Sequence, residues 1–94
     1  MLAFQLFDMA VNHGRSRAVK ILQEALGFTG RDVDGLIGPK TMAAARSANT
    51  AALVLDMLAC RLQFYTDLAT WPTFGRGWAR RVAGNLRAAA DQLA

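Results

Sequence analysis

Few side chains in this 94-residue sequence could carry chemistry, and the acids come first. Cleavage of a glycosidic bond usually needs a carboxylic acid of raised pKa, often a Glu, to protonate the leaving oxygen. The sole Glu is Glu24. It falls opposite the apolar face of its helix and one turn from Lys20. That setting holds a carboxylate's pKa low rather than raising it. Asp8 is better placed, because the segment around it is otherwise apolar. For such an acid an ion pair or a structural hydrogen bond is the commoner fate.

Arg61 falls near the middle of an apolar arc. A guanidinium there must find a carboxylate, carbonyl oxygens or a ligand, since a lone buried charge is very costly. Asp8 or Asp34 can pair with it. Otherwise Arg61 lines a groove or holds a partner segment. Asp32-Val33-Asp34-Gly35 invites a calcium reading and fails it. With Gly35 as the invariant loop glycine, the first ligand would be Gly30 and the twelfth Thr41, neither an acid. A tight turn fits better, with Asp34 bonding local backbone and Gly35 at positive φ.

No nucleophile triad is available, because His13 is the only histidine and Cys60 lies within a helix without an identifiable base. A single thiol forms no internal disulfide, and nothing beside it has metal-ligand spacing. A buried, inert thiol is expected, and no metal or cofactor. Gly35-Leu36-Ile37-Gly38-Pro39-Lys40-Thr41 ends like a phosphate loop but is too short between its glycines. Tyr65, Trp71, Phe74 and Trp78 can stack on sugar rings, although aromatics at helical spacing more often fill a core. Trp71, placed in a turn, is expected to be the most exposed of them.

Five helices must position these groups. The first spans about Leu2 to His13, with Gly14 ending it. At roughly 100° per residue its apolar residues cover most of the circumference, leaving Gln5, Asp8 and Asn12 as a narrow polar stripe. A helix apolar on nearly all sides is expected in the core, its stripe facing solvent or a groove. The second spans about Ser16, read as the N-cap, to Leu26, with Gly27 behind it. Pro39 opens a short third helix to about Ala48. The fourth runs from Asn49 or Thr50 to about Thr70. A turn at Trp71 to Gly75 precedes the last, from about Arg76 to Gln92. Its core face is Trp78, Val82, Leu86, Ala89 and Leu93, with Arg76, Arg80 and Arg87 on the other side.

Composition agrees with an all-α fold of one domain over residues 1–94. About half the residues are apolar and only two prolines occur. A chain this short has a modest core and sits near the low end of independent stability. The net charge of +4 would favour a polyanion, but the acids are interspersed. No stacked-aromatic or recognition-helix signature supports nucleic acid as the partner. The apolar start from Met1 to Asp8 lacks a basic leader, so neither a signal peptide nor a membrane span is expected.

Two stretches resemble known families. Phe7-Asp8-Met9-Ala10-Val11-Asn12-His13-Gly14, followed by Ala18-Val19 and Leu22-Gln23, resembles the start of the C-terminal region of glycoside hydrolase family 108. Those are lysozyme-like muramidases of phages and bacteria, endolysins among them. Leu22-Gln23 through Val33-Asp34-Gly35-Leu36-Ile37-Gly38-Pro39-Lys40-Thr41 resembles a turn of helical peptidoglycan-binding modules more widely. Arg61, Phe64-Tyr65 and Phe74-x-x-Gly77-Trp78-x-x-Arg81-Val82 fit only the family-108 region. The resemblance implies a helical, peptidoglycan-binding lobe. That family's catalytic Glu lies in an N-terminal segment near a Glu-Gly-Gly-Tyr-like motif, which this chain lacks, so no catalytic residue is carried over.

The leading expectation is therefore peptidoglycan binding without cleavage, by a cropped fragment or a truncated gene product. A missing N-terminal catalytic lobe is the implied partner, and the apolar surplus points to self-association as well. Gln5, Asp8, Asn12, Asp34, Arg61, Tyr65 and Trp71 are the expected glycan-binding or cleft-lining residues. Synthesis in the cytoplasm and action at the cell wall or periplasm after release follow from the same resemblance. The competing readings are a muramidase using Asp8 or Glu24 as a substitute acid, and a basic helical nucleic-acid-binding or regulatory domain.

Overall fold

Gly14, at φ +83°, separates α1 (Leu2–His13) from α2 (Arg15–Ala25) with no loop between them. Its own N–H donates to the Ala10 carbonyl at 2.9 Å, and its carbonyl accepts from Ala18 N–H at 3.1 Å. The corner therefore leaves few orphan backbone groups. Ser16 was expected to cap α2. The cap instead lies two residues earlier, at Gly14, with no side-chain hydrogen bond there. At the far end Phe28 N–H reaches the Gln23 carbonyl and Gly27 N–H reaches that of Glu24. With Gly27 at φ +89°, this is a Schellman closure.

The computed structural model describes residues 2–93, all of them in helices or short connections. Met1 and Ala94 lie outside the described residues, as does the side chain of Leu93, which was expected on a core face. A single 3-10 turn at Gly30–Asp32 leads to α3 (Pro39–Ser47), which Pro39 opens as expected. Asn49 caps α4 (Thr50–Thr66), accepting from Ala52 N–H at 2.9 Å. α4 stops at Thr66, four residues short of expectation. α5 (Trp71–Leu93) starts five residues early, running through the segment expected to be a turn. Pro72 does not prevent this, because the first turn of a helix has no N–H bond to lose.

α4 is the central element. One side meets α1 and α2 around Met9, Ala18, Ile21, Leu22, Leu53 and Met57. The other meets α5 around Val54, Leu58, Tyr65, Val82 and Ala89. The molecule is only 19 Å deep along its shortest axis, about two helix layers. Leu86, expected in the core, faces outward. Among the described residues no helix is long and apolar enough to cross a membrane.

α1 departs most from its expected role. Phe7 is 72% exposed, Val11 66% and Phe4 47%, while Gln5 is fully buried beside Met9. Gln5 and Asp8 of the polar stripe thus turn inward, Asn12 stays exposed, and three large apolar side chains turn outward. Leu2, Leu6 and Ala10 supply the apolar contact to the core. A nearly all-apolar helix has no unique phase in its hydrophobic pattern, so buried polar partners choose its rotation.

Candidate functional site

The inward stripe leads to a polar cluster shared by α1, α4 and α5. Arg61, fully buried on α4, donates from Nη1 to Asp8 Oδ2 at 2.7 Å. Asn85 Nδ2 donates to the same oxygen at 3.0 Å, and Arg81 Nη2 to Asp8 Oδ1 at 3.1 Å. Arg61 Nε donates to Tyr65 Oη at 2.9 Å, and Tyr65 Oη lies 2.7 Å from His13 Nε2. The Tyr65 ring stacks on Trp78 at 4.8 Å and 13°. Arg81 and Asn85 are four residues apart on α5, so both project to the Asp8 side.

The electrostatics follow from these contacts. Burial pushes the Asp8 carboxyl up, but hydrogen bonds from Asn85, Arg61 and Arg81 outweigh it and hold the pKa below the usual carboxylate value. A general acid needs the opposite shift, so Asp8 is no proton donor near neutral pH. His13 is pushed down to about 4, first by burial and then by the positive charge of Arg61, with Asp8 pulling the other way. It is therefore neutral at pH 7. Tyr65 Oη accepts from Arg61 Nε and keeps a proton of its own, which a neutral imidazole unprotonated at Nε2 can accept.

A second polar centre fixes the glycine–proline turn. Gln23 is buried on α2 and its Nε2 faces Asp34 Oδ1 at 2.9 Å, the Leu36 carbonyl at 3.1 Å and Thr41 Oγ1 at 3.1 Å. Its Oε1 accepts from Gly35 N–H at 3.0 Å. Asp34 Oδ1 also accepts from Leu36 N–H at 2.9 Å, the local turn expected of it. The Gln23 hydrogen bond first, and the Leu36 N–H next, lower the Asp34 pKa. Gly35 takes φ +77°, and a Cβ there would lie 2.5 Å from Ser16 Oγ. Packing against this turn is thus the role of Ser16. Leu36 and Ile37 project outward, 70% and 55% exposed, beside a groove edged by Arg15, Ser16 and Val19.

The expected site residues separate into two groups. Gln5, Arg61 and Tyr65, expected to line a cleft, have at most 1% exposure and offer no surface to a polymer. Asp8 joins them as their charge partner. Asn12 is exposed and returns a hydrogen bond to the Asp8 carbonyl at 2.7 Å. Asp34 is exposed at the turn, apart from that cluster. Trp71 is half-buried rather than the most exposed aromatic, because its indole lies across Gly75, whose Cβ would meet the ring at 2.6 Å. Phe74, 53% exposed, is the outward one. Gln23, Arg81, Asn85 and His13 were missed as site residues. The signal for Gln23 was an amide directly after Ile21 and Leu22, and for Asn85 an amide on the Val82–Ala89 stripe.

Among known proteins, the chain is similar to a solved structure of Brucella abortus SagA, at 36% identity and a TM-score of 0.87. The match covers 96% of this chain and 50% of the SagA chain, so the chain spans half the length of that structure. No curated protein matches it. The model of the family described as "Predicted Peptidoglycan domain" matches residues 17–83, which take in the Gln23-held turn, Arg61 and Arg81. The chain belongs to the predicted peptidoglycan domain family.

Proposed function

We propose that this chain is a peptidoglycan-binding domain, the non-catalytic helical part of a longer lysozyme-like muramidase of the family-108 type. The observation that carries the reading is the family match over residues 17–83. The state of the acids supports the non-catalytic half. Asp8 is committed to two guanidiniums and an amide. Glu24 is exposed on α2. The Asp8 pKa is lowered, whereas a glycosidase acid needs it raised, and Glu24 lacks the apolar pocket in which such an acid sits. A catalytic Glu on a separate lobe would supply the proton. The wall-facing surface of this reading is the outer side of the 34–38 turn, where Leu36, Ile37 and Arg15 are presented together. The setting of action is then the cell wall or periplasm.

Retention on purified sacculi tests the reading. The chain should sediment with intact sacculi and leave their turbidity unchanged. Full recovery in the supernatant would refute binding. Turbidity loss caused by these residues alone would refute the non-catalytic assignment.

A further inference from the structure

We infer that the cleft between α2 and α4 is a binding site for a small zwitterion, a ligand carrying both a carboxylate and a primary ammonium. Two helical faces build it: Arg17, Ile21 and Glu24 at i, i+4 and i+7 on α2, and Cys60 and Phe64 on α4 with Asp67 capping its end. Its volume, about 260 Å³, is below the usual range for drug-sized ligands and suits an amino acid.

The charges give the specificity. Arg17 is a cation and Glu24 and Asp67 are anions lining one cleft, yet none of the three forms an ion pair among the described residues. Arg17 is held instead by the Phe64 ring, its guanidinium carbon 4.8 Å from the centroid. That stacking fixes the planar fork while leaving its N–H groups free for a carboxylate. Arg17 and Glu24 are seven residues apart on one helix face, about 10 Å along the axis. Their side chains therefore approach the cleft from opposite ends. A carboxylate at Arg17 with an ammonium toward Glu24 satisfies both, whereas a purely anionic ligand meets Glu24 and Asp67 as like charges. Ile21 floors the cleft, and Cys60 sits beside Glu24, its thiol pKa raised by burial and then by the charges of Glu24 and Asp56.

The inference deepens the proposed function and rests on it for its biological ligand. In peptidoglycan this chemistry occurs at the free amino-acid centre of a diamino acid in the peptide stem. The glycan strand has no ammonium of this kind.

The test is titration of the whole chain with meso-2,6-diaminopimelate, followed by NMR shifts and by protection of Cys60 from alkylation. Saturable shifts at Cys60 and Phe64 with slowed alkylation are expected. Pimelate and cadaverine, each lacking one of the two charges, should give neither. Arg17→Gln and Glu24→Gln should each weaken binding by about tenfold or more, the loss expected for one charge-assisted hydrogen bond. Unchanged helicity and melting would show that both variants fold. No shift with diaminopimelate, or equal binding of pimelate, overturns the zwitterion site even if sacculi are retained. Diaminopimelate binding that survives both substitutions also overturns it. Binding lost in both variants upholds the site, and absent sacculus retention would then count only against the wall-binding reading.

Discussion

His13 Nε2 lies 2.7 Å from Tyr65 Oη, so the last residue of α1 is tied to the last turn of α4. Protonation makes both ring nitrogens donors, so the Tyr65 oxygen must then accept from Arg61 and His13 together. It also adds a second positive charge beside a buried guanidinium. In the folded chain the His13 pKa is about 4, against 6.5 when free. Between those values the unfolded chain binds the extra proton, so stability rises with pH. Melting temperature should therefore climb from pH 4 to 6.5 and level off above. His13→Gln, which cannot titrate, should flatten that limb. A parallel pH dependence in the variant would remove His13 as its cause. Asp8 acts in the same direction lower down: its contribution is complete above pH 3.8 and fades as pH falls through its lowered pKa.

The Asp8–Arg61 pair should be worth far more when broken than its net contribution. Arg61 has no solvent contact, and Asp8 is its only anion among the described residues. Removing the carboxylate leaves a buried charge uncompensated, which costs about 3–5 kcal/mol. Asp8→Ala should lose that much in urea unfolding. Arg81→Ala should cost about 1 kcal/mol or less, because Arg81 is half exposed and solvent already screens it. Equal losses for the two would show that Arg61 is not the partner that matters.

How much of this could be read from the chain follows from the range of each interaction. α2, α3 and the cap of α4 are set by local signals: Gly27, Pro39 and Asn49 each act within a few residues. The Asp34–Gly35 turn was legible for the same reason. The choice of Asp8 over Asp34 as the Arg61 partner was not. Asp8 and Arg61 are 53 residues apart, and nothing local distinguishes the two acids. The rotation of α1 was hidden because apolar residues surround it, leaving the buried amide and carboxylate to decide. The early start of α5 was hidden by Pro72, which normally marks a break. In the first turn it breaks nothing, and Gly75, lacking a Cβ, lets the Trp71 indole lie across the helix backbone.

The turn at residues 34–41 should be sensitive to single atoms. Gln23→Leu preserves size but strips partners from the Gly35 N–H, the Leu36 carbonyl and the Thr41 hydroxyl. A buried group left unsatisfied costs about 1–3 kcal/mol, so a loss of at least that size is expected. Gly35→Ala should also destabilise, by about 1–2 kcal/mol from its positive φ alone, with the Ser16 clash added. Pairing it with Ser16→Gly should recover the clash and not the backbone strain. Thermal unfolding of the four variants separates the two contributions, and full recovery in the double variant would show that φ carries no cost here.

Neighbouring residues on α1 should give opposite responses to truncation. Met9 is 1% exposed and packs on Ile21, Leu22 and Met57, so Met9→Ala should cost about 2–5 kcal/mol. Phe7, two residues earlier and larger, is 72% exposed, and Phe7→Ser should change stability by about 0.5 kcal/mol or less. The outward stripe of Phe4, Phe7 and Val11 should instead govern self-association, because a contiguous apolar face leaves water when two surfaces meet. Sedimentation velocity across a concentration series should show the parent chain associating and Phe4→Ser/Phe7→Ser remaining monomeric at the same melting temperature. A large loss of stability in that double variant would mean that α1 packs through its phenylalanines, and the inward orientation of Gln5 and Asp8 would then be wrong.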